Sequence, residues 1–429
     1  MILLAIDLGS SSVKARLFKN GRPLTEAARV EYSTRHDGVR VEIEPQRLLG
    51  AVAKAIQTLS KGRRADCIGL SVMSPAWVAM DRNGRAITPI VTHQDRRSID
   101  QANELERRIG AARCLRLAGN RPFPGGISST TCAWFLRNQK SVMARADLIG
   151  HLNTFLHRRL TGSRVIDTSN ASFTGLYLTC TQGGWSDELC DAVGVSRSLL
   201  PEIFESNVAA AKITPQAARS FGLTAGTPMM AGMVDTSAAL MLTGSRPGQL
   251  FHVCGSTDVL AVVCARARPH PQLLTRALGI GCKWTAAATI AAGGSSLDWM
   301  HSRFFRDLSD HRFHALLARR GRTSVHFEPY LAGERTGIEQ KQASFSHLTL
   351  ATTREEMLAA VIESLATASA ARLELLTHAH ARFLPTVYVS GGAGALADLS
   401  HRDWPRNPRR RFRYVDEASL RGLATLTPK

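Results

Sequence analysis

The chain has 429 residues, 44% of them hydrophobic, with 54 Lys and Arg against 35 Asp and Glu and a formal net charge of +19. That length suits two domains, no run approaches the ~18 apolar residues of a membrane span, and the start lacks the basic segment of a secretory signal. The charge raises nucleic-acid binding as a function class, and eight cysteines without CxxC or metal-ligand spacing point to reduced thiols in a cytoplasmic protein.

The opening residues, MILLAIDLGSSSVKARLF, read as strand, turn, strand. Residues 1–6 are apolar without helical periodicity, Asp7 stands where the run ends, and Gly9, Ser10, Ser11 and Ser12 make a small polar turn. Residues 13–18 resume a strand, and Asn20-Gly21 is a two-residue hairpin signal. A turn of this composition suits a metal-bound phosphate: glycine lets the backbone come close, N–H groups and hydroxyls donate to phosphate oxygens, and a carboxylate holds Mg2+ through water. An ordinary hairpin fits the same residues.

Further along, 48–60 reads as an amphipathic helix, 67–73 as a buried strand, and 76–80 as a strand closed by the turn 81–84. Residues 98–118, 129–144, 145–161 and 214–221 read as helices, and PMMAGM (228–233) as a strand running into Val234 and Asp235. From residue 248, GQLFHVCGSTDVLAVVCARARP repeats the opening shape: a strand at 250–254, a Gly-Ser-Thr turn and a strand at 259–263. AAGGSSLDWMHSRFF then gives a Gly-Gly turn into a helix, 354–377 a long helix, and TVYVSGG a strand. Two such hairpins half a chain apart predict two similar domains facing one another, each offering a phosphate-gripping turn, with a boundary near residue 244.

The arginine excess is scattered through RRADC, DRRSID, ELERRIG, HRRL and LARRGR, and only RNPRRRFR (406–413) is dense. There is no zinc-finger spacing and no aromatic-rich strand for stacking bases. Arginine on solvated faces, with attraction of anionic ligands as a second effect, accounts for this pattern better than a nucleic-acid surface.

In order along nearly the whole chain, IDLGSSSVKARLF, PIVTHQDRRS, LTGSRVIDTSNASFTGLY, GTPMMAGMVDTSAALMLTG, HVCGSTDVL, YLAGERT and VSGGAGAL resemble the motifs of the FGGY family of carbohydrate kinases, the relatives of xylulokinase and glycerol kinase. The resemblance implies an α/β protein with the two-domain actin-like ATPase (ribonuclease H-like) fold, mixed sheets flanked by helices and a nucleotide cleft between the domains. Residues 1–244 would hold the sugar site and the first phosphate hairpin, and 245–429 the nucleotide site. It also implies a kinase that uses ATP and Mg2+ to phosphorylate a hydroxyl of a small sugar (a ketose such as a pentulose) or a polyol. A homodimer is compatible with this reading; a membrane partner is not expected.

Carried onto this chain, the resemblance makes Asp235 the general base, with a helix N-cap as the alternative role for an Asp before Thr236-Ser237. Asp7 resembles the carboxylate that helps hold Mg2+, and Ser10, Ser11, Ser12 and Lys14 resemble residues around the β- and γ-phosphates. Ser256, Gly294, Gly391 and Gly392 resemble nucleotide-contacting positions. Asp95 and Arg97 resemble residues lining the sugar side, or else form a surface ion pair on a loop. The chain departs from the family where xylulokinases have Gln-Met-His-Gly and glycerol kinases Gln-Arg-Glu: here Met73-Ser74-Pro75-Ala76 leaves Ser74 as the polar side chain. It also stops at RGLATLTPK, about where relatives continue with more helix. A non-catalytic sugar- or nucleotide-binding regulator of the same fold is the alternative function, opposed by the presence of both carboxylates and both turns.

Overall fold

The protein is described by a computed structural model over residues 1–59, 63–318, 321, 323–334, 336–339, 341–392, 394–407 and 409–429. Met1–Arg246, Cys264–Thr285 and Glu417–Lys429 form one compact unit, and Pro247–Val263 with Ala286–Asp416 form a second. Among the described residues no helix is long and apolar enough to cross a membrane.

In the first unit the opening apolar run becomes strand Ile2–Leu8, with Leu3 to Ile6 and Leu8 buried. Ser12–Lys19 pairs with it antiparallel, from Ile2 opposite Lys19 to Leu8 opposite Val13. Asn20 (φ 51°) and Gly21 (φ 77°) close the next turn in the left-handed conformation that an Asn-Gly hairpin requires. Cys67–Val72, buried throughout, runs parallel to Ile2–Leu8, and Met233–Val234 runs parallel to Cys67–Val72. Leu8 is level with Val72, and Val72 with Val234, so three strands end side by side. Helix Pro45–Leu59 packs Leu48, Leu49, Val52, Ala55, Ile56 and Leu59 against the same core. It begins before the expected 48–60 segment, and Ser60 lies outside the described residues.

Several expected helices divide. Residues 98–118 break at Gly110 (φ 89°) into Ile99–Ile109 and Ala111–Ala118, and 129–144 break at Gln139 into Ser129–Asn138 and Lys140–Met143. Residues 145–161 are not one helix: Leu148–Gly150 is a strand paired antiparallel with Ala76–Met80, and the helix runs over Leu152–Thr161. Three apolar residues are too few for periodicity to distinguish strand from helix, and the partner strand decides. The expected strand 228–233 is likewise two short strands, Pro228–Met229 and Met233–Val234, separated by a bend that includes Gly232 (φ 90°).

The second unit repeats the plan. Leu250–Cys254 and Asp258–Cys264 form an antiparallel hairpin, Thr386–Ser390 runs parallel to Leu250–Cys254, and Arg411–Tyr414 runs parallel to Thr386–Ser390. Helix Gly294–Phe304 follows the Gly-Gly turn. The long helix Arg354–Leu375 opens on a capping box between Thr353 and Glu356. Arg319, Arg320 and Arg322 of the LARRGR run, Arg335 of YLAGERT, Ala393 of VSGGAGAL and Pro408 of the 406–413 run lie outside the described residues.

The last residues rejoin the first unit. Helix Ala418–Leu423 packs on helix Asp235–Met241 so tightly that a Cβ on Gly422 would lie 1.7 Å from the Ala238 carbonyl oxygen. Arg16 reaches Glu417 at 2.5 Å, and the Lys429 N–H donates to the Asn207 carbonyl at 2.9 Å. Gly422→Ala should therefore lower stability by about 2–3 kcal/mol through backbone overlap. Gly50→Ala, on the exposed side of Pro45–Leu59 with nothing within 4 Å of the added Cβ, should raise it by about 0.5–1 kcal/mol. Thermal melts of the two variants check the contrast; a Gly422→Ala protein as stable as the parent would contradict this packing.

Candidate functional site

Two of the three aligned strand ends of the first unit carry a carboxylate, Asp7 and Asp235. Asp7 is level with Ser71 across the parallel pair, and the Ser71 hydroxyl donates to Asp7 Oδ1 at 2.7 Å. Burial raises the Asp7 carboxyl to about 6; the Ser71 bond and Lys14 oppose that shift, while the negative charges of Asp235 and Glu417 add to it. Asp7 also helps burial to push the Tyr32 phenol above its usual range. Asp235 begins helix Asp235–Met241, and its Oδ1 accepts from the Thr236 N–H at 2.6 Å and the Thr236 hydroxyl at 3.1 Å. Val234, not Asp235, holds the N-cap position, so the capping role open in the sequence is not the one Asp235 takes.

The serine turn beside Asp7 is held from outside. Its Gly9 N–H donates to the Ser12 carbonyl at 3.0 Å, the Tyr32 hydroxyl donates to the Gly9 carbonyl, and the Thr34 hydroxyl donates to the Ser10 carbonyl at 2.9 Å. Ser10 and Ser11 are exposed, whereas Ser12 is buried within the second strand. Lys14 sits opposite Asp7 in the antiparallel register.

A buried polar network stands behind Asp235. Asp167 caps the turn Thr168–Ala171, accepting from the N–H groups of Ser169 (2.8 Å) and Asn170 (3.1 Å) and from the side-chain amides of Asn170 (2.6 Å) and Asn153 (2.8 Å). Burial still raises its carboxyl to about 6. The Ser169 hydroxyl donates to Asp167 and accepts from the Val234 N–H at 3.0 Å, which ties the network to the residue before Asp235. Ser74 joins from the other side, donating to Asn170 Oδ1 at 2.7 Å and lying 3.3 Å from His151 Nδ1; His151 Nε2 lies 2.9 Å from the Ser128 hydroxyl. Burial and the positive charge of Arg276 lower His151 to about 3, so its imidazole is neutral. The structure thus joins Ser74 to Asn170, His151 and Asp167, which the sequence reading passed over as site residues. The signal was present in VIDTSNAS, an Asp closing an apolar run two residues before a serine.

Asp95 and Arg97 do not form a surface pair. Their side chains are 2% and 5% exposed, and Arg97 Nη2 lies 2.6 Å from Asp95 Oδ2 and 2.5 Å from Glu42. Asp95 Oδ2 also accepts from the Val41 N–H at 2.8 Å, and the guanidinium lies 5.2 Å from the Trp134 ring. The pair clamps the loop after Ile90–Thr92 to strand Arg40–Ile43.

In the second unit Ser256 is exposed at the tip of turn 255–257. The N–H groups of Gly294 and Ser295 donate to the Gly255 carbonyl (2.9 Å) and the Ser256 carbonyl (3.2 Å), so the start of helix Gly294–Phe304 braces this turn. Gly391 (φ 117°) is required by its own chain, since a Cβ there would lie 2.1 Å from the Cys254 carbonyl oxygen. Gly392 is exposed, with nothing within 4 Å of an added Cβ. Just below the turn, Asp258 is fully buried, 3.1 and 2.9 Å from the two terminal nitrogens of Arg372 and 2.5 Å from His252 Nε2. Burial pushes this carboxyl up, but Arg372 and His252 outweigh it and hold it well below the usual range. His252, Cys254 and Asp258 are close enough to share a metal ion, yet Arg372 already neutralises the carboxylate. The eight cysteines are thiols outside any disulfide, and Cys282 is the exposed one.

Two mixed α/β sheets, each opened by a strand–turn–strand hairpin with a carboxylate at or beside its turn, define the class: a two-domain protein of the actin-like ATPase fold. The same fold is found in a xyloylose kinase from Brucella ovis (TM-score 0.83, 24% identity, 99% of this chain and 89% of that one). It is also found in a Plasmodium falciparum glycerol kinase with ADP (TM-score 0.84, 17% identity, 99% and 88%). The xylulose kinase of Klebsiella pneumoniae is 25% identical over 413 residues, 92% of this chain and 84% of that protein. The chain belongs to the FGGY family of carbohydrate kinases, whose N-terminal domain matches residues 2–241 and C-terminal domain residues 250–399. It is accordingly a phosphotransferase with an alcohol group as acceptor.

Two outcomes follow from the electrostatics. The folded state raises Asp7 from 3.8 to about 6, so it binds that proton more tightly than the unfolded chain does, and stability falls as pH rises between those values. Asp7→Asn should be more stable than the parent at pH 7 by about 2 kcal/mol, with the difference gone near pH 4, as read by denaturant midpoints. A variant no more stable at pH 7 would contradict the raised carboxyl. Arg372→Met strands the buried Asp258 charge and should cost about 3–5 kcal/mol, and an unchanged urea midpoint would contradict that pairing.

Proposed function

We propose that this carbohydrate kinase transfers the γ-phosphoryl group of ATP to a hydroxyl of a small sugar, a ketose such as a pentulose, or a polyol. The observation that carries the reading is the pair Asp7 and Asp235, set at the ends of two parallel strands that flank Cys67–Val72, beside an exposed serine turn. Asp235 acts as general base, taking the proton of the sugar hydroxyl as it attacks phosphorus. Ser10, Ser11 and Ser12, with the backbone of their turn and Lys14, grip the β- and γ-phosphates. Of the three hydroxyls, Ser10 and Ser11 are the exposed ones.

Asp7 is the metal carboxylate. The donor set fits Mg2+, because the group is hard oxygen and carries mutual repulsion with Asp235 and Glu417 that a cation relieves. Bound there, Mg2+ supplies neutralisation of charge on the phosphoryl group in flight. The turn keeps its shape through Tyr32 and Thr34, and the Asp167–Ser169 network fixes the backbone at Val234, so the base is held in place before substrate arrives.

Residues 1–244 supply the sugar side. Ser74 offers its hydroxyl at the edge of the His151–Asn170 network, and the Asp95–Arg97 pair forms a rigid wall. Residues 245–429 supply the nucleotide side, with Ser256 on phosphate and Gly294, Gly391 and Gly392 where the backbone approaches the nucleotide. Within that set, exposure favours Ser256 and Gly392 as direct contacts.

The test is coupled ADP release with ATP and Mg2+ against a panel of ketoses, aldoses and polyols. One substrate class should give a sugar-dependent signal, and Asp235→Asn should reduce it by at least about 10²-fold while sugar binding, measured by calorimetry, persists. Equal turnover in Asp235→Asn would remove the base from the account.

A further inference from the structure

One cavity of the first unit shares no residue with the Asp7–Asp235 site. It encloses about 570 Å³ and is walled by Arg82 and Arg85 from the turn after Ala76–Met80, Arg158 and Arg159 from the end of helix Leu152–Thr161, and Gln216 and Ser220 from helix Pro215–Phe221. Four guanidinium groups around one hollow repel one another, and such an arrangement calls for compensating negative charge.

The protein supplies little of that charge. Arg158 is engaged: its terminal nitrogens donate to the carbonyls of Gly162 and Arg82 at 2.6 Å each, and it lies 3.6 Å from Asp147. Asp147 is shared with Arg164 at 2.9 Å. Asp81 is turned into its own turn, where Oδ1 accepts from the N–H groups of Asn83 and Arg85 at 2.9 Å. Among the described residues neither Arg82 nor Arg85 has a carboxylate within ion-pair distance. Arg159 carries the most pointed feature: its Nε is buried and, among the described residues, has no hydrogen-bond partner. A buried charged donor without an acceptor is costly, and it marks a place where an acceptor belongs.

We propose that this cavity binds a small organic polyanion carrying at least two phosphoryl groups. Planar arginine forks match phosphate oxygens two at a time, and four arginines contributed by two elements, the turn and the helix end, match more than one such group. The volume falls within the range of small-molecule pockets and exceeds the needs of a single phosphate. The side chains of Thr214, Gln216 and Ser220 provide neutral hydrogen-bonding groups for the rest of the molecule. Part of the net charge of +19 thereby gains a specific use. The site also abuts the base-bearing segment. Helix Leu152–Thr161, which ends in the cavity, holds the chain before Asp235 through His157 Nε2 at 3.0 Å from the Met230 carbonyl.

The probe is inorganic pyrophosphate, titrated calorimetrically into the full chain without Mg2+ or nucleotide. The parent should bind it, and the Arg82→Ala/Arg85→Ala double variant, which alters exposed side chains only, should bind it at least about tenfold more weakly. Arg411→Ala/Arg413→Ala, in the dense basic run, should leave the affinity unchanged, and Lys14→Ala reads any pyrophosphate held at the serine turn instead. No binding by the parent would overturn the proposal. So would equal binding by the Arg82/Arg85 double variant, or a matching loss in either control.

Discussion

Two carboxylates of the same charge stand within electrostatic reach of each other because three parallel strands end in register. Asp7 precedes the last residue of Ile2–Leu8, Asp235 follows the last residue of Met233–Val234, and Cys67–Val72 lies between them. Nothing in folding alone favours this arrangement: burial and mutual repulsion both push the Asp7 carboxyl up. A sheet tolerates such a pair because its hydrogen-bond register leaves the strand ends no freedom to move apart. The repulsion is local, and under the proposed function it sits where a bound cation would offset it.

The rest of the first unit supports those strand ends. Met233–Val234 is only two residues long and needs outside help to stay in place. Ser169, oriented by the buried Asp167, bonds the Val234 N–H from one side. Helix Ala418–Leu423, returning from the far end of the chain, packs on the helix that Asp235 begins, and Ser419 donates to the Asp235 carbonyl at 3.3 Å. The preceding residue, Glu417, adds its charge to the Asp7 environment and is held by Arg16 from the second strand. The second unit treats its hairpin differently: its carboxylate, Asp258, is fully buried and neutralised by Arg372 and His252, a structural pairing beneath the turn.

Much of this was legible in the sequence where the signal was local. The Asn20-Gly21 turn, the apolar run ending at Asp7 and the repeated hairpin at 250–264 each depend on residues a few positions apart. Both hairpins appear, although the second turn is one residue tighter, with Cys254 opposite Asp258 where Leu8 is opposite Val13. What could not be read depends on partners far along the chain. Leu148–Gly150 is a strand because Ala76–Met80 accepts it. Arg97 is buried because Glu42 and Asp95 meet it there, and Glu417 belongs to the first unit because Arg16 is 401 residues away in sequence but adjacent in space. Asp167 lay in plain view within a quoted motif. Its importance comes also from Asn153 and Val234, and no spacing rule connects those to it.

The most direct measurement is an NMR titration of the Asp7 side-chain carboxyl carbon in the parent and in Asp235→Asn, without metal or nucleotide. A midpoint near 6 in the parent that moves toward the ordinary carboxylate value when the Asp235 charge is removed is the expected result. A midpoint near 4 in the parent, or one unmoved by Asp235→Asn, would show that the two carboxylates do not face each other and would contradict the site described here.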